Sequence, residues 1–408
     1  MSTAFLPAVA TAVVAIAAPC TSAWSQDSVV NAGKYLATAG NCVSCHTASG
    51  GAPFAGGVAF RTKFGTIYST NITPDNETGI GRWTTEQFRR AVRDGVNPDG
   101  QHLYPAFPYT AFTKLSDADV DAIFAYLKSL TPARSRPPQN DLIFPFNQRA
   151  TLSEWKTLYF DNKRFVPNAG KSSEWNRGAY LVEALGHCSA CHTPRNFMAA
   201  ERTELRFTGG TYQDKVRGQI RTWSTVNLTS ASSGLKAWTV DDLVAYLQTG
   251  LNSYATTFGP MNEVIMNSTR HLTAADVRGM AVYLKSLPAN EQSTSPKYPG
   301  SDDLKIGAKL YTLHCGTCHL PTGQGNIDTG PSMVGNPVVQ AAEPASLINV
   351  ILYGPELPTP APPAQRTHME GYADKLDDDE VAALASYLRN AWGNRANPVT
   401  AGQVAEQR

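Results

Sequence analysis

The sequence predicts a mainly α protein built as three tandem copies of one small unit. Two observations carry this. The pentapeptide Cys-x-x-Cys-His occurs three times, as Cys42–His46, Cys188–His192 and Cys315–His319. Each copy sits between a short helical stretch opening Gly-x-x-Leu and an amphipathic helix that ends the unit.

The pentapeptide reads as a c-type haem attachment site. Two intervening residues bring both thiols to one porphyrin edge, where they add across the vinyl groups, and the next residue, histidine, turns under the ring to ligate iron. With 7 Cys and 8 His in 408 residues, the chance expectation of one such pentapeptide is about 0.002, so three copies exclude coincidence and outweigh a zinc or redox cysteine pair. The expected cofactors are three covalently bound haem c groups. Cys42, Cys45, Cys188, Cys191, Cys315 and Cys318 would carry the thioethers, and His46, His192 and His319 would be the proximal iron ligands.

The flanking helices follow from pattern. The opening stretches are Gly33-Lys34-Tyr35-Leu36, Gly178-Ala179-Tyr180-Leu181 and Gly307-Ala308-Lys309-Leu310. The closing helices are capped by Ser116, Thr273 and Asp377. Their apolar stripes fall at i, i+3, i+4 and i+7: Val120, Ile123, Phe124 and Leu127; then Val277, Met280, Ala281 and Leu284; then Val381, Leu384, Ala385 and Leu388. Each ends Tyr-Leu-Lys/Arg. Units one and two share a further segment, Ser69-Thr70-Asn71-Ile72-Thr73 with Trp83 against Ser224–Thr229 with Trp238, which unit three lacks. Helices are expected from Thr84 and Thr239, and packing is the expected role of both Trp residues, ahead of haem contact.

The organisation expected is a signal peptide over 1–25, a first cytochrome c domain over 26–140, an aromatic connecting segment over 141–176 packed on both neighbours, a second domain over 177–288, a linker over 289–303, a third domain over 304–393 and a flexible tail over 394–408. The apolar run Ala4–Ala18 with a cut near Ala23 or Ser25 reads as an export leader. Six of the seven cysteines lie in the motifs and Cys20 in the leader, so no disulfide is expected in the mature chain. A net charge of +1 with mixed signs gives no sign of a nucleic-acid partner.

The sixth iron ligand decides what each haem can do, since a thioether raises the potential relative to a second imidazole. It is expected from the loop before the closing helix. In unit three that is Met369, with Met333 as the alternative; Pro331 is placed to accept a hydrogen bond from His319 and orient its ring. In unit two it is Met261, ahead of Met266 and His271, while Met280 belongs to the core. Unit one has no methionine after the leader, and Phe107 stands where Met369 does. The spare histidine nearby is His102, so a His46/His102 pair is expected, with an open iron as the alternative.

These motifs, with Gly79-Ile80-Gly81-Arg82-Trp83, Leu103-Tyr104-Pro105-Ala106, Trp175-Asn176-Arg177-Gly178 and His192-Thr193-Pro194-Arg195-Asn196, resemble the three-haem cytochrome c subunits of bacterial periplasmic, membrane-associated alcohol, aldehyde, gluconate and fructose dehydrogenases. The resemblance covers the whole mature chain. It implies a non-catalytic subunit that takes electrons from a catalytic subunit of flavin, pyrroloquinoline quinone or molybdopterin type and passes them to ubiquinone or a terminal oxidase at the outer face of the cytoplasmic membrane. The family commonly carries Met where Phe107 stands, so its first-haem ligation does not transfer. The rival readings are a multi-haem peroxidase working at an open first iron and a free periplasmic shuttle.

Overall fold

A computed structural model describes residues 1, 26–216, 219–292, 298–355, 357 and 369–408. Apart from Met1, the expected leader lies outside these residues.

Each unit is organised by one helix crossing. The opening helices begin at Gln26–Ala39, Ser173–Tyr180 and Ser301–His314, and the closing helices are Asp117–Ser129, Ala274–Ser286 and Asp378–Asn390. The recurrent glycine marks the point of closest approach. A Cβ on Gly33 would sit 1.8 Å from the Ala122 carbonyl oxygen, one on Gly178 1.9 Å from that of Gly279, and one on Gly307 2.3 Å from that of Ala383. Only glycine lets the two backbones meet there. The leucine three positions on (Leu36, Leu181, Leu310) is buried beside each crossing.

The closing helices start as their caps dictate. Ser116, Thr273 and Asp377 each accept a hydrogen bond from the backbone N–H three residues on. All four apolar positions of each stripe are buried. The basic residue of the recurrent Tyr-Leu-Lys/Arg ending donates to carbonyls outside its helix: Lys128 to Gly81, Lys285 to Leu235, and Arg389 to Val339, Ala341 and Asn397. The helix into the second motif continues beyond Tyr180 through a π-helical turn, Leu181–Leu185. That turn absorbs the extra residue between Gly178 and Cys188 relative to Gly33 and Cys42.

Strands are few. Ala59–Thr62 and Gly65–Tyr68 form a hairpin extended by Asp141–Leu142; Gly210–Val216 pairs with Gln219–Thr225. The connecting segment packs on both neighbours. Trp155 is buried against Tyr109 of unit one and Ala200 of unit two, and its indole donates to the Met198 carbonyl at 3.0 Å.

Units one and two share one hydrophobic core, whereas unit three has its own. The tail does not behave as the sequence suggests. Val399 and Val404 are buried, Ala401–Ala405 is helical, and Arg408 reaches back to Asp378 and the Ala373 and Leu376 carbonyls. The expectation of a flexible 394–408 is corrected: its two valines face the unit-three core, a pattern too sparse to stand out in a polar stretch.

Candidate haem sites

The three motif histidines share one construction. His46 Nδ1 lies 2.7 Å from the Thr70 carbonyl oxygen, His192 Nδ1 2.8 Å from that of Val226, and His319 Nδ1 2.8 Å from that of Pro331. An imidazole that donates from Nδ1 carries its lone pair on Nε2, so each ring is fixed in the iron-binding tautomer and its orientation set by backbone. Burial holds His46 and His192 below the ordinary histidine range, which keeps them neutral and able to ligate.

The shared segment of units one and two explains how those carbonyls are aimed. In each, the carbonyl belongs to the residue before a buried asparagine. Asn71 Oδ1 accepts from the backbone N–H and hydroxyl of Thr73 at 2.9 and 2.8 Å while its amide donates to the Ala133 carbonyl. Asn227 repeats this with Thr229 and Asn290. The asparagine ties the His-orienting loop to the chain just beyond the closing helix. Sequence repetition points to the segment but does not disclose this role. Unit three lacks it, and Pro331 serves instead, as its spacing from His319 predicts.

In unit one, Cys42, Cys45 and His46 open on a cleft walled by apolar side chains such as Ile80, Phe88, Leu103, Leu115 and Leu127. Arg149 is its cationic wall residue, suited to a haem carboxylate. Trp83 lines the cleft, while Trp238 is buried against Tyr246 and Tyr254. Burial pushes the Cys42, Cys45, Cys188 and Cys315 thiols up to about 12. Thiolates are disfavoured there, whereas uncharged thioethers suit the setting. Among the described residues, no three His, Cys, Asp or Glu side chains converge as a protein-only metal cage would. The residues present therefore fit haem c.

The sixth-ligand candidates fare differently. Met261 is the first residue of the helix Met261–Asn267 and packs on the shared core. The Met266 sulfur accepts from Arg270 at 3.0 Å, and His271 Nε2 lies against the Met266 carbonyl. Met280 is buried in the closing helix. Met333 is two residues from Pro331, on the proximal side of His319, and packs in the core. Met369 is half-buried at the border of the described residues, its backbone against Gly354.

His102 stands apart from the cleft lining. Its backbone bridges to Val96, its carbonyl accepts from Arg149, and its Nδ1 lies 3.0 Å from Lys156 Nζ. A neutral imidazole accepting there carries its proton on Nε2, so neither nitrogen offers a lone pair to iron. Lys156 comes from the connecting segment, which is why sequence proximity misleads here. Phe107 lines the cleft instead.

The cytochrome c family profile matches residues 30–131 and 304–392. The chain is 37% identical over 399 residues to the gluconate 2-dehydrogenase cytochrome c subunit of Pantoea cypripedii, covering 94% of this chain and 90% of that one. It is 36% identical over 398 residues to the cytochrome c subunit of the alcohol dehydrogenase (quinone) of Gluconacetobacter polyoxogenes, covering 94% and 85%. The chain belongs to this family of cytochrome c subunits. It is also 41% identical over 378 residues to a nicotinate dehydrogenase subunit of Pseudomonas putida, covering 91% of this chain but spanning only 31% of that protein. Unit two lies outside the profile match, yet it carries the same glycine crossing and oriented histidine as units one and three. Among the described residues no helix is long and apolar enough to cross a membrane.

Proposed function

We propose that this chain is the electron-transfer subunit of a periplasmic dehydrogenase complex at the membrane surface, holding three covalent haem c groups. The observation that carries this reading is the threefold recurrence of one proximal site, a Cys-x-x-Cys pair followed by a histidine whose Nδ1 is hydrogen-bonded to a backbone carbonyl. The relatives are by name subunits of gluconate, alcohol and fructose dehydrogenases, which favours a subunit over a peroxidase or a free shuttle.

Haem c supplies reversible one-electron chemistry when bound; the protein supplies position and electrostatics. Cys42 and Cys45, Cys188 and Cys191, and Cys315 and Cys318 would fix the porphyrin edges. Met261 and Met369 would complete the second and third iron sites with thioethers and raise their potentials. A catalytic partner of flavin, pyrroloquinoline quinone or molybdopterin type would supply electrons, and ubiquinone or a terminal oxidase would take them. Unit two is the middle station. It shares its core with unit one, and its Ser224, Ser253 and Tyr254 hydrogen-bond Ser346, Ser332 and Asn336 of unit three.

A pyridine haemochrome assay with protein quantitation tests the cofactor count: three haems per chain are expected, and two or fewer in fully matured protein would refute the reading. The chain alone should not oxidise alcohols, aldehydes or sugars. Its haem should be reduced when the co-expressed catalytic subunit and its substrate are added.

A further inference from the structure

We propose that the first haem site receives no sixth ligand from the described residues of this chain, so that its apolar cleft admits a small neutral diatomic such as carbon monoxide once haem is attached. The inference rests on haem attachment at Cys42, Cys45 and His46.

Among the described residues, the nearby candidate bases either stand outside the cleft or are engaged elsewhere; Met198 packs on the same cluster as Phe107 and Leu103 but does not line the cleft. The loop Tyr104–Pro108, which precedes the closing helix, forms one wall of the cleft, and Phe107 stands in it where units two and three have Met261 and Met369. A phenyl ring has no lone pair to offer. Phe107 is held with its ring centroid 5.5 Å from that of Phe112. Unit one contains no methionine over residues 26–140. His102 is turned away, with its Nδ1 engaged by Lys156, and Lys156 is itself anchored on the Asp94 and Gly95 carbonyls. The His102 backbone is fixed by the Val96 bridge and by the Arg149 hydrogen bond to its carbonyl.

Other groups with lone pairs line the cleft, among them Tyr68, His187 and Tyr104. His187 directly precedes Cys188, its Nε2 lies 3.4 Å from the Gly40 carbonyl, and its ring stands edge-on to Phe112. Gly40 is two residues from Cys42, so His187 stands by the Cys42 edge of the cleft. Tyr104 has its ring under the Arg149 guanidinium at 4.7 Å, and burial raises its phenol above the ordinary range, so it stays protonated and is a poor ligand.

The wall chemistry selects the ligand. Phe107, Phe112 and Leu103 give the pocket an apolar wall that suits an uncharged diatomic.

The test uses the full holo-protein with its haem count already measured. In the reduced protein, carbon monoxide should shift the spectrum of one haem in three. In the oxidised protein, electron paramagnetic resonance should show one high-spin haem in three. Phe107→Met should abolish both signals, whereas His102→Ala should leave them unchanged. Three low-spin haems with no response to carbon monoxide would overturn the proposal. If His187→Ala or His102→Ala then created the high-spin signal, that residue would be identified as the ligand. A haem count below three would instead refute the attachment on which the inference rests, and the inference with it.

Discussion

Three imidazoles are each aimed by one backbone carbonyl, and the consequences are local. Donation from Nδ1 raises the basicity of Nε2 and removes the ring's freedom to rotate, so the proximal half of each site is set before any cofactor chemistry. The distal half depends on single side chains. Met266 has its sulfur engaged by Arg270, whereas Met261 packs inward. Met261→His should therefore lower the potential of one haem of the three, because imidazole favours the ferric state relative to thioether. Met266→Ala should leave all three potentials unchanged. A potentiometric titration of both variants checks this. The same dependence on single side chains explains why the sequence misleads at His102. Its distance from Phe107 along the chain is short, but Lys156, 54 residues further on, decides where the ring points.

At the scale of elements, units one and two are related by a reciprocal exchange between their opening and closing helices. The Tyr35 hydroxyl donates to Asp276 at 2.6 Å and accepts from the Thr273 N–H at 3.2 Å. Tyr180 does the same in the other direction with Asp119 and Ser116. Unit three carries the exposed Lys309 at the equivalent position, so it has no phenol for this exchange. Tyr35→Phe and Tyr180→Phe should each cost about 1.5 kcal/mol, the value of a hydrogen bond to a charged acceptor, and the two losses should add because they lie at opposite ends of the exchange. Denaturant titration of the single and double variants measures this. For Asp276, burial pushes the carboxyl up, but the Arg177 and Tyr35 hydrogen bonds and the Arg177 charge together hold it below the usual range. Its stabilising contribution is full above the ordinary aspartate value of about 4 and is lost as pH falls through its lower native value. Between those two values stability should accordingly fall more steeply with falling pH in the wild type than in Arg177→Met, in which the carboxyl has lost its main partner.

Over the whole molecule, the three units divide two and one. Units one and two fold around a common core, and unit three keeps a core of its own and docks on the strand Gln219–Thr225 through reciprocal Ser224–Ser346 hydrogen bonds and through Arg221 over the Tyr353 ring at 3.9 Å. The C-terminal tail belongs to that third core. Removing residues 394–408 exposes the sites of Val399 and Val404, at roughly 1.5–3 kcal/mol for each buried valine, and takes the Asn397 carbonyl from the buried Arg389 guanidinium. The truncated holo-protein should lose about 3 kcal/mol or more of stability by denaturant titration; an unchanged transition would mean that the tail is loose after all.

What the sequence by itself determined was everything local. Motif spacing located the three Cys-x-x-Cys-His motifs, period 3.6 with Ser, Thr and Asp caps identified the closing helices, and the distance from His319 to Pro331 identified one orienting carbonyl. The tertiary structure decided which atoms meet across long separations. It placed the Thr70 and Val226 carbonyls on their histidines, the Gly33, Gly178 and Gly307 backbones on the closing helices, Lys156 on His102, and the tail valines on the third core. The physical reason is that a cap or a motif is satisfied within a few residues of chain and leaves a pattern there. A hydrogen bond to a backbone carbonyl, or a ring turned towards a distant amine, imposes no residue pattern on either partner's neighbours.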